Sequence, residues 1–149
     1  MGGTRQHHLT MVKIEATAAK PEHWHVIKAL VTQSPWNDAL AEAFDWSDIG
    51  PYWLIAFDED HRIVGCVQML VGKPLARIEL LCVDERLDHP VRARAIRTLI
   101  LRACEALRGA GAKAVAGTVP FALKSYKRVL KKRGAETMLQ GNVMMLRFT

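Results

Sequence analysis

The sequence predicts an α/β domain of the α+β kind, built on a mixed central sheet of six to seven strands with helices on both faces. Three observations predict it. Ile78, Leu80, Leu81, Cys82 and Val83 form a nearly continuous apolar run, the pattern of a strand covered on both sides. The charged segment from Asp84 to Asp88 breaks that run. Behind it Val91, Ala95, Leu99, Ala103, Ala106 and Ala110 recur at three- and four-residue spacing, as one stripe of a long helix. Residues 52–57 and 62–71 are two further apolar runs around the turn Asp58-Glu59-Asp60-His61, and read as a hairpin.

In chain order, residues 1–10 are polar and read as a flexible N-terminus. Residues 11–149 read as one domain, without repeats, low-complexity tracts or linkers. Residues 11–16 are a short strand with Val12 and Ile14 on one side. Pro21 suits the first turn of a helix over 22–32, whose apolar positions are Trp24, Ile27, Leu30 and Val31. His23 and His25, two apart, point to different faces and make a poor metal pair. Ser34-Pro35-Trp36-Asn37 is a loop and cap, followed by a short helix over 38–45. Within the hairpin, Gly65 marks a bulge or a close backbone approach. The long helix starts at Asp88 or His89, with Pro90 in its first turn where a missing N–H costs nothing, and ends at Gly109 and Gly111. Residues 113–119 are a strand. Residues 121–133 are a basic amphipathic helix with Leu123, Tyr126, Val129 and Leu130 on its apolar side. Residues 136–140 and 143–148 form a last hairpin about Gly141-Asn142. The apolar residues of that hairpin suit a homodimer edge as well as a core.

The chain of 149 residues is half apolar and about a quarter charged, so it can bury a core. Its net charge of +6 favours phosphate-bearing or polyanionic partners. Much of that charge is local, in Lys124, Lys127, Arg128, Lys131, Lys132 and Arg133. Cys66, Cys82 and Cys104 are odd in number and set among apolar residues. They read as buried thiols of a reducing, cytoplasmic compartment, with neither a disulfide frame nor a metal site. No run has the length of a transmembrane helix and no signal peptide is visible.

Arg92, Arg94 and Arg97 crowd the first turns of the long helix, with Arg86 just before it. Cations oppose the partial positive charge of a helix start. The pattern builds either an anion site or a solvated face offset by Asp84, Glu85 and Asp88. Trp36, Phe44, Trp46, Tyr52 and Trp53 are dense for a short interval. They either border a pocket for a small substrate or seal short helices onto the sheet. Glu79 is the one carboxylate inside the apolar strand, either a general base or the partner of Arg77.

The order strand, helix, helix, three strands, long helix, strand, helix, two strands resembles the GNAT superfamily of N-acyltransferases from Val12 to Phe148. Local matches are Ile78-Glu79-Leu80-Leu81-Cys82-Val83-Asp84 to its fourth strand, residues 103–113 to the end of its long helix, and Lys131-Lys132-Arg133-Gly134-Ala135-Glu136 to its last helix-to-strand turn. The resemblance implies an acetyl-coenzyme A donor and an amine acceptor on a small molecule or protein. It places the pantetheine arm on Leu81, Cys82 and Val83, and the phosphates on Arg92, Ala93, Arg94, Ala95, Ile96 and Arg97. Such chemistry needs a base and an acid, and Glu79 is the candidate base. The family's tyrosine position falls on Leu130, so Tyr126, one helical turn earlier on the same face, is the candidate acid, and the dense aromatics Trp36, Phe44, Trp46 and Tyr52 are expected on the acceptor side. The phosphate loop is degenerate: Arg92 matches, Ala95 replaces a glycine, and Arg97 stands where the family has Gly or Ala. The competing reading is a GNAT-shaped protein without catalysis, whose basic helix meets nucleic acid or an acidic protein.

Overall fold

The computed structural model describes residues 13–33, 52–117, 127, 128, 131 and 132. Its elements are β1 (Glu15–Ala18), a 3₁₀ turn (Pro21–His23), α1 (Trp24–Thr32), β2 (Trp53–Phe57), β3 (Ile63–Leu70), β4 (Leu75–Val83), α2 (His89–Gly109) and β5 (Ala114–Gly117). The strands form one sheet in the order β1-β2-β3-β4-β5. All pairs are antiparallel except β4 with β5, which is parallel. A parallel pair needs a long crossover, and α2 supplies it. The sheet is therefore mixed, with five strands among the described residues. The last hairpin and the helix over 38–45 lie outside those residues. Of the basic helix, Lys127, Arg128, Lys131 and Lys132 are described; they are helical and exposed.

Helices cover both faces, as the burial pattern of β2 and β3 demands. Ala95, Leu99, Ala103 and Leu107 of α2 pack on Leu54, Val64, Val67, Met69, Ala76 and Ile78. Ile27, Leu30 and Val31 of α1 pack on Trp53, Ile55, Cys66 and Cys82 on the opposite face. The seam of α2 keeps to steps of four, a ridge inclined to the helix axis. It therefore ends on Leu107, and Ala106 and Ala110 are exposed. The first strand also shifts, from 11–16 to Glu15–Ala18. Pairing with β2, from Glu15 opposite Phe57 to Ala18 opposite Leu54, sets that register. Two apolar residues on an edge strand specify it only weakly.

Two irregularities shape the sheet. In β3, Ala56 of β2 faces Gly65 and Phe57 faces Ile63, so Val64 is the extra residue of a bulge. A Cβ at Gly65 would stand 3.0 Å from Leu99 Cδ1 and 3.1 Å from the Cys82 carbonyl oxygen. Gly65 thus marks both a bulge and a close approach. In β4, Cys82 faces Cys66 but Glu79 faces Gln68, so three residues advance against two. Leu80 takes up the excess in the left-handed region at φ 51°, which few residues other than glycine adopt.

Candidate active site

The bulge in β4 decides what each side chain of that strand can do. Ala76 and Ile78 point to the α2 face, so Arg77 and Glu79 point to the α1 face. Leu80 also packs on the α1 side, and Leu81 and Val83 then return to α2. Two successive residues, Glu79 and Leu80, therefore emerge on one face. Trp53, Gln68 and Glu79 lie opposite one another across β2, β3 and β4, as one row on that face. Trp53 is fully buried, stands edge-on to Trp24 with ring centres 6.4 Å apart, and has an indole N–H without an acceptor among the described residues.

Glu79 is half-buried and paired. Arg77 donates from Nε to Oε1 at 2.9 Å, and its Nη2 makes an ion-pair contact with the same oxygen at 2.7 Å. Oε2 has no partner among the described residues. The carboxylate is thus held by one oxygen and presents the other.

β4 pairs with β5 from Leu75 opposite Ala114 to Ile78 opposite Gly117, where the described part of β5 ends. β4 continues to Val83. Cys82 pairs with Cys66, and the Asp84 N–H donates to the Val64 carbonyl at 2.8 Å. By the alternation of an antiparallel ladder, Leu81 and Val83 turn their backbone groups away from β3. Gln33, at the end of α1, takes one of them: its Nε2 donates to the Val83 carbonyl at 3.0 Å, and the Glu85 N–H donates to its Oε1 at 3.3 Å. This side-chain amide completes a rung of the ladder and ties α1 to the end of β4. Cys82 is turned the other way: its backbone belongs to the β3 ladder and its thiol is buried under α1. Burial pushes the neighbouring Cys66 thiol well up, and the Cys82 thiol beside it adds to the shift.

The turn after β4 is held by Asp84. The Arg86 N–H and Nε donate to its Oδ1 at 3.0 and 3.1 Å, and Arg86 Nη2 donates to Oδ2 at 2.9 Å. These hydrogen bonds from Arg86 hold the Asp84 carboxyl below its ordinary value, against the opposing effect of burial. Arg86 is thereby committed to the turn. α2 begins at His89, and the Arg92 N–H already donates to the Asp88 carbonyl at 3.0 Å. The N–H groups of Ala93, Ala95, Ile96 and Arg97 lie inside the helical ladder, and Ala95 and Ile96 turn into the core. The N–H groups without an intrahelical partner are one turn upstream, on His89 and Val91; they have no acceptor among the described residues, and the Asp88 side chain does not cap them. Arg92 is half-buried there, and Arg94 and Arg97 are exposed.

Tyr52 is 56% exposed, and strand alternation puts it on the face of Leu54, opposite to Glu79. Trp53 occupies the Glu79 face instead. Trp36, Phe44, Trp46 and Tyr126 lie outside the described residues. Gln33, Gln68 and Arg77 complete the site. A lone polar residue in the apolar run of β3 marks Gln68, whereas nothing local marks Gln33, whose contact spans fifty residues. Two cavities lined by described residues lie elsewhere. One of about 510 Å³ is lined by Lys127, Arg128, Lys131 and Lys132. The other, of about 480 Å³, is lined by Ala16, Leu54, Arg102, Glu105 and Ala106.

Replacing Gln33 by leucine removes the amide that the Val83 carbonyl and the Glu85 N–H bond to. The expected cost is about 1 kcal/mol, the low end for a partner stranded in a half-buried place. Urea unfolding checks it: the midpoint falls while the slope holds. An unchanged midpoint means that water replaces the amide at no cost.

No protein-family model and no curated protein matches the sequence. Solved structures do. The aminoglycoside N-acetyltransferase AAC(6')-Iy in complex with CoA superposes with a TM-score of 0.67 at 15% identity, over 92% of this chain and 97% of that one. Rv2747 from Mycobacterium tuberculosis, in complex with CoA and NLQ, gives 0.57 at 17% identity over 76% of this chain and 68% of that one. A transcriptional regulator from Bacillus halodurans C-125 gives 0.63 at 12% identity over 90% of this chain and all of that one, 100%.

Proposed function

We propose that this chain, which has the fold of the GNAT N-acetyltransferases, transfers an acyl group from a coenzyme A thioester to an amine. The observation that carries the reading is the bulge of β4. It places a half-buried carboxylate directly beside a stretch of strand with backbone groups turned away from β3. The acetyltransferase AAC(6')-Iy and Rv2747, which share the fold, were both solved with CoA.

When bound, acetyl-coenzyme A supplies the activated acyl carbon and a thiolate leaving group. The chain's own groups fit such a molecule. Leu81 and the Val83 N–H offer strand-like backbone pairing to an amide-bearing arm. The His89 and Val91 N–H groups offer uncapped donors to phosphate, with Arg92, Arg94 and Arg97 adding charge. The degenerate glycine pattern does not remove these donors, because they precede it. Glu79 takes the proton of the incoming ammonium on Oε2, leaving a neutral amine to attack, and passes that proton on to solvent. Arg77 keeps the carboxylate in place while it does so. Tyr126 stays the proposed donor to the departing thiolate.

Calorimetry with coenzyme A tests the reading. Binding is expected, weakening as salt is added, since charge on arginines is screened by ions. Arg92→Ala with Arg94→Ala weakens it further. No binding by the unmutated protein at millimolar coenzyme A would leave a GNAT-shaped chain that transfers nothing.

A further inference from the structure

We infer that the acceptor is an α-amino acid with an apolar side chain, its amine on Glu79, its carboxylate on Arg77 and its side chain over Leu70 and Leu75. The inference rests on the acyl-transfer reading for the role of Glu79, and on separate observations for everything else.

Arg77 is the first of these. A guanidinium carries five N–H donors. One of them, on Nε, goes to Glu79 Oε1, and Nη2 stands as an ion-pair contact 2.7 Å from the same oxygen. The guanidinium has no other acceptor among the described residues, and the side chain is 53% exposed. Arg77 therefore supports Glu79 and still has donors to offer beside it. Its Nη2 stands 2.7 Å from Glu79 Oε1, so the site shows one positive and one negative group in contact. A molecule whose ammonium and carboxylate share one carbon presents the same two charges with opposite sign, and can lie on the pair charge to charge. A plain alkylamine satisfies Glu79 and leaves Arg77 to water. A diamine brings a second positive charge up to Arg77.

The apolar part of the surface is the second observation. Leu70 faces Arg77 across the ladder, and Leu75 precedes Arg77 by two, so both share its face. They are 43% and 51% exposed, two of the few large apolar side chains left open to solvent. An ion pair flanked by exposed leucines suits a ligand that is zwitterionic at one end and apolar at the other. Burying those leucines under an apolar side chain adds affinity that a polar amino acid does not gain.

The test compares L-leucine, its decarboxylated analogue isopentylamine, and L-serine. Without acyl donor, L-leucine is expected to raise the melting temperature of the full chain and isopentylamine to leave it unmoved, because only the folded state holds the ligand. With acetyl-coenzyme A, kcat/KM for L-leucine is expected to exceed that for isopentylamine by at least about tenfold, the worth of a charge-assisted hydrogen bond in a half-open site. It also exceeds that for L-serine. In Arg77→Gln the ratio of L-leucine to isopentylamine falls toward one. Isopentylamine equal to or better than L-leucine with the unmutated protein overturns the inference, as does a ratio that Arg77→Gln leaves intact. Leucine binding without release of coenzyme A supports the amino-acid site and removes the transfer. Transfer to isopentylamine with no leucine binding does the reverse.

Discussion

Glu79→Gln lowers acyl transfer at neutral pH by roughly 10² to 10⁴, the range for loss of a general base, and leaves coenzyme A binding nearly unchanged. The amide keeps the size of the carboxylate and an oxygen for Arg77 to donate to, so the row of Trp53, Gln68 and residue 79 stays assembled. What it loses is the capacity to take up a proton. The two readouts separate the roles. If turnover falls and calorimetry with coenzyme A does not change, Glu79 acts on the acceptor. If turnover survives, the carboxylate is only the counter-ion of Arg77, or the amine arrives already neutral. Raising the pH makes the distinction sharper: a variant without a base regains rate as free amine becomes abundant, and a structurally damaged one does not.

The second large effect is on stability. Leu99 is fully buried between α2 and the sheet, and Leu99→Ala is expected to cost about 2 to 5 kcal/mol. Gly65→Ala, which drives a methyl group against the same side chain at 3.0 Å, is expected to cost about 1 to 3 kcal/mol. Placed together, the two costs do not add: the new methyl enters the space that the truncated leucine leaves. Urea unfolding of the four proteins measures the difference, expected at about 0.5 kcal/mol or more in favour of the double variant. Full additivity would mean that the Cys82 carbonyl, 3.1 Å from the added methyl, is what Gly65 makes room for.

The patterns that survived from sequence to structure were the long ones. The apolar run of β4, the four-residue ridge of α2 and the hairpin of β2 with β3 each involve enough residues to admit one reading. The first strand slid because an edge strand with two apolar residues borrows its register from its neighbour. At the site, Glu79 was legible as the one carboxylate in an apolar strand, and Gly65 as a glycine where nothing else demands one. Aromatic density alone points to Tyr52 and not to Trp53, although one step along a strand is a change of face. The family pattern points to the N–H groups and arginines of residues 92–97, although Pro90 already marks the first turn, and only the first four N–H groups of a helix lack a partner within it. Gln33 was not legible at all: its role depends on a fold that brings a helix end to a strand end fifty residues away.

The bulge at Leu80 makes residue count, more than residue identity, the quantity that β4 must keep. A substitution along the strand changes one side chain and leaves its neighbours where they were. Losing one residue between Ile78 and Cys82 would match two residues of β4 to two of β3 and restore a regular pleat with both halves still in register. Glu79 would keep the face of Arg77 and Cys82 its place opposite Cys66, but two successive side chains would no longer emerge together on the α1 face. Drift in composition is cheap for such a strand and drift in length is not. Chains with 12 to 17% identity can therefore hold the same architecture.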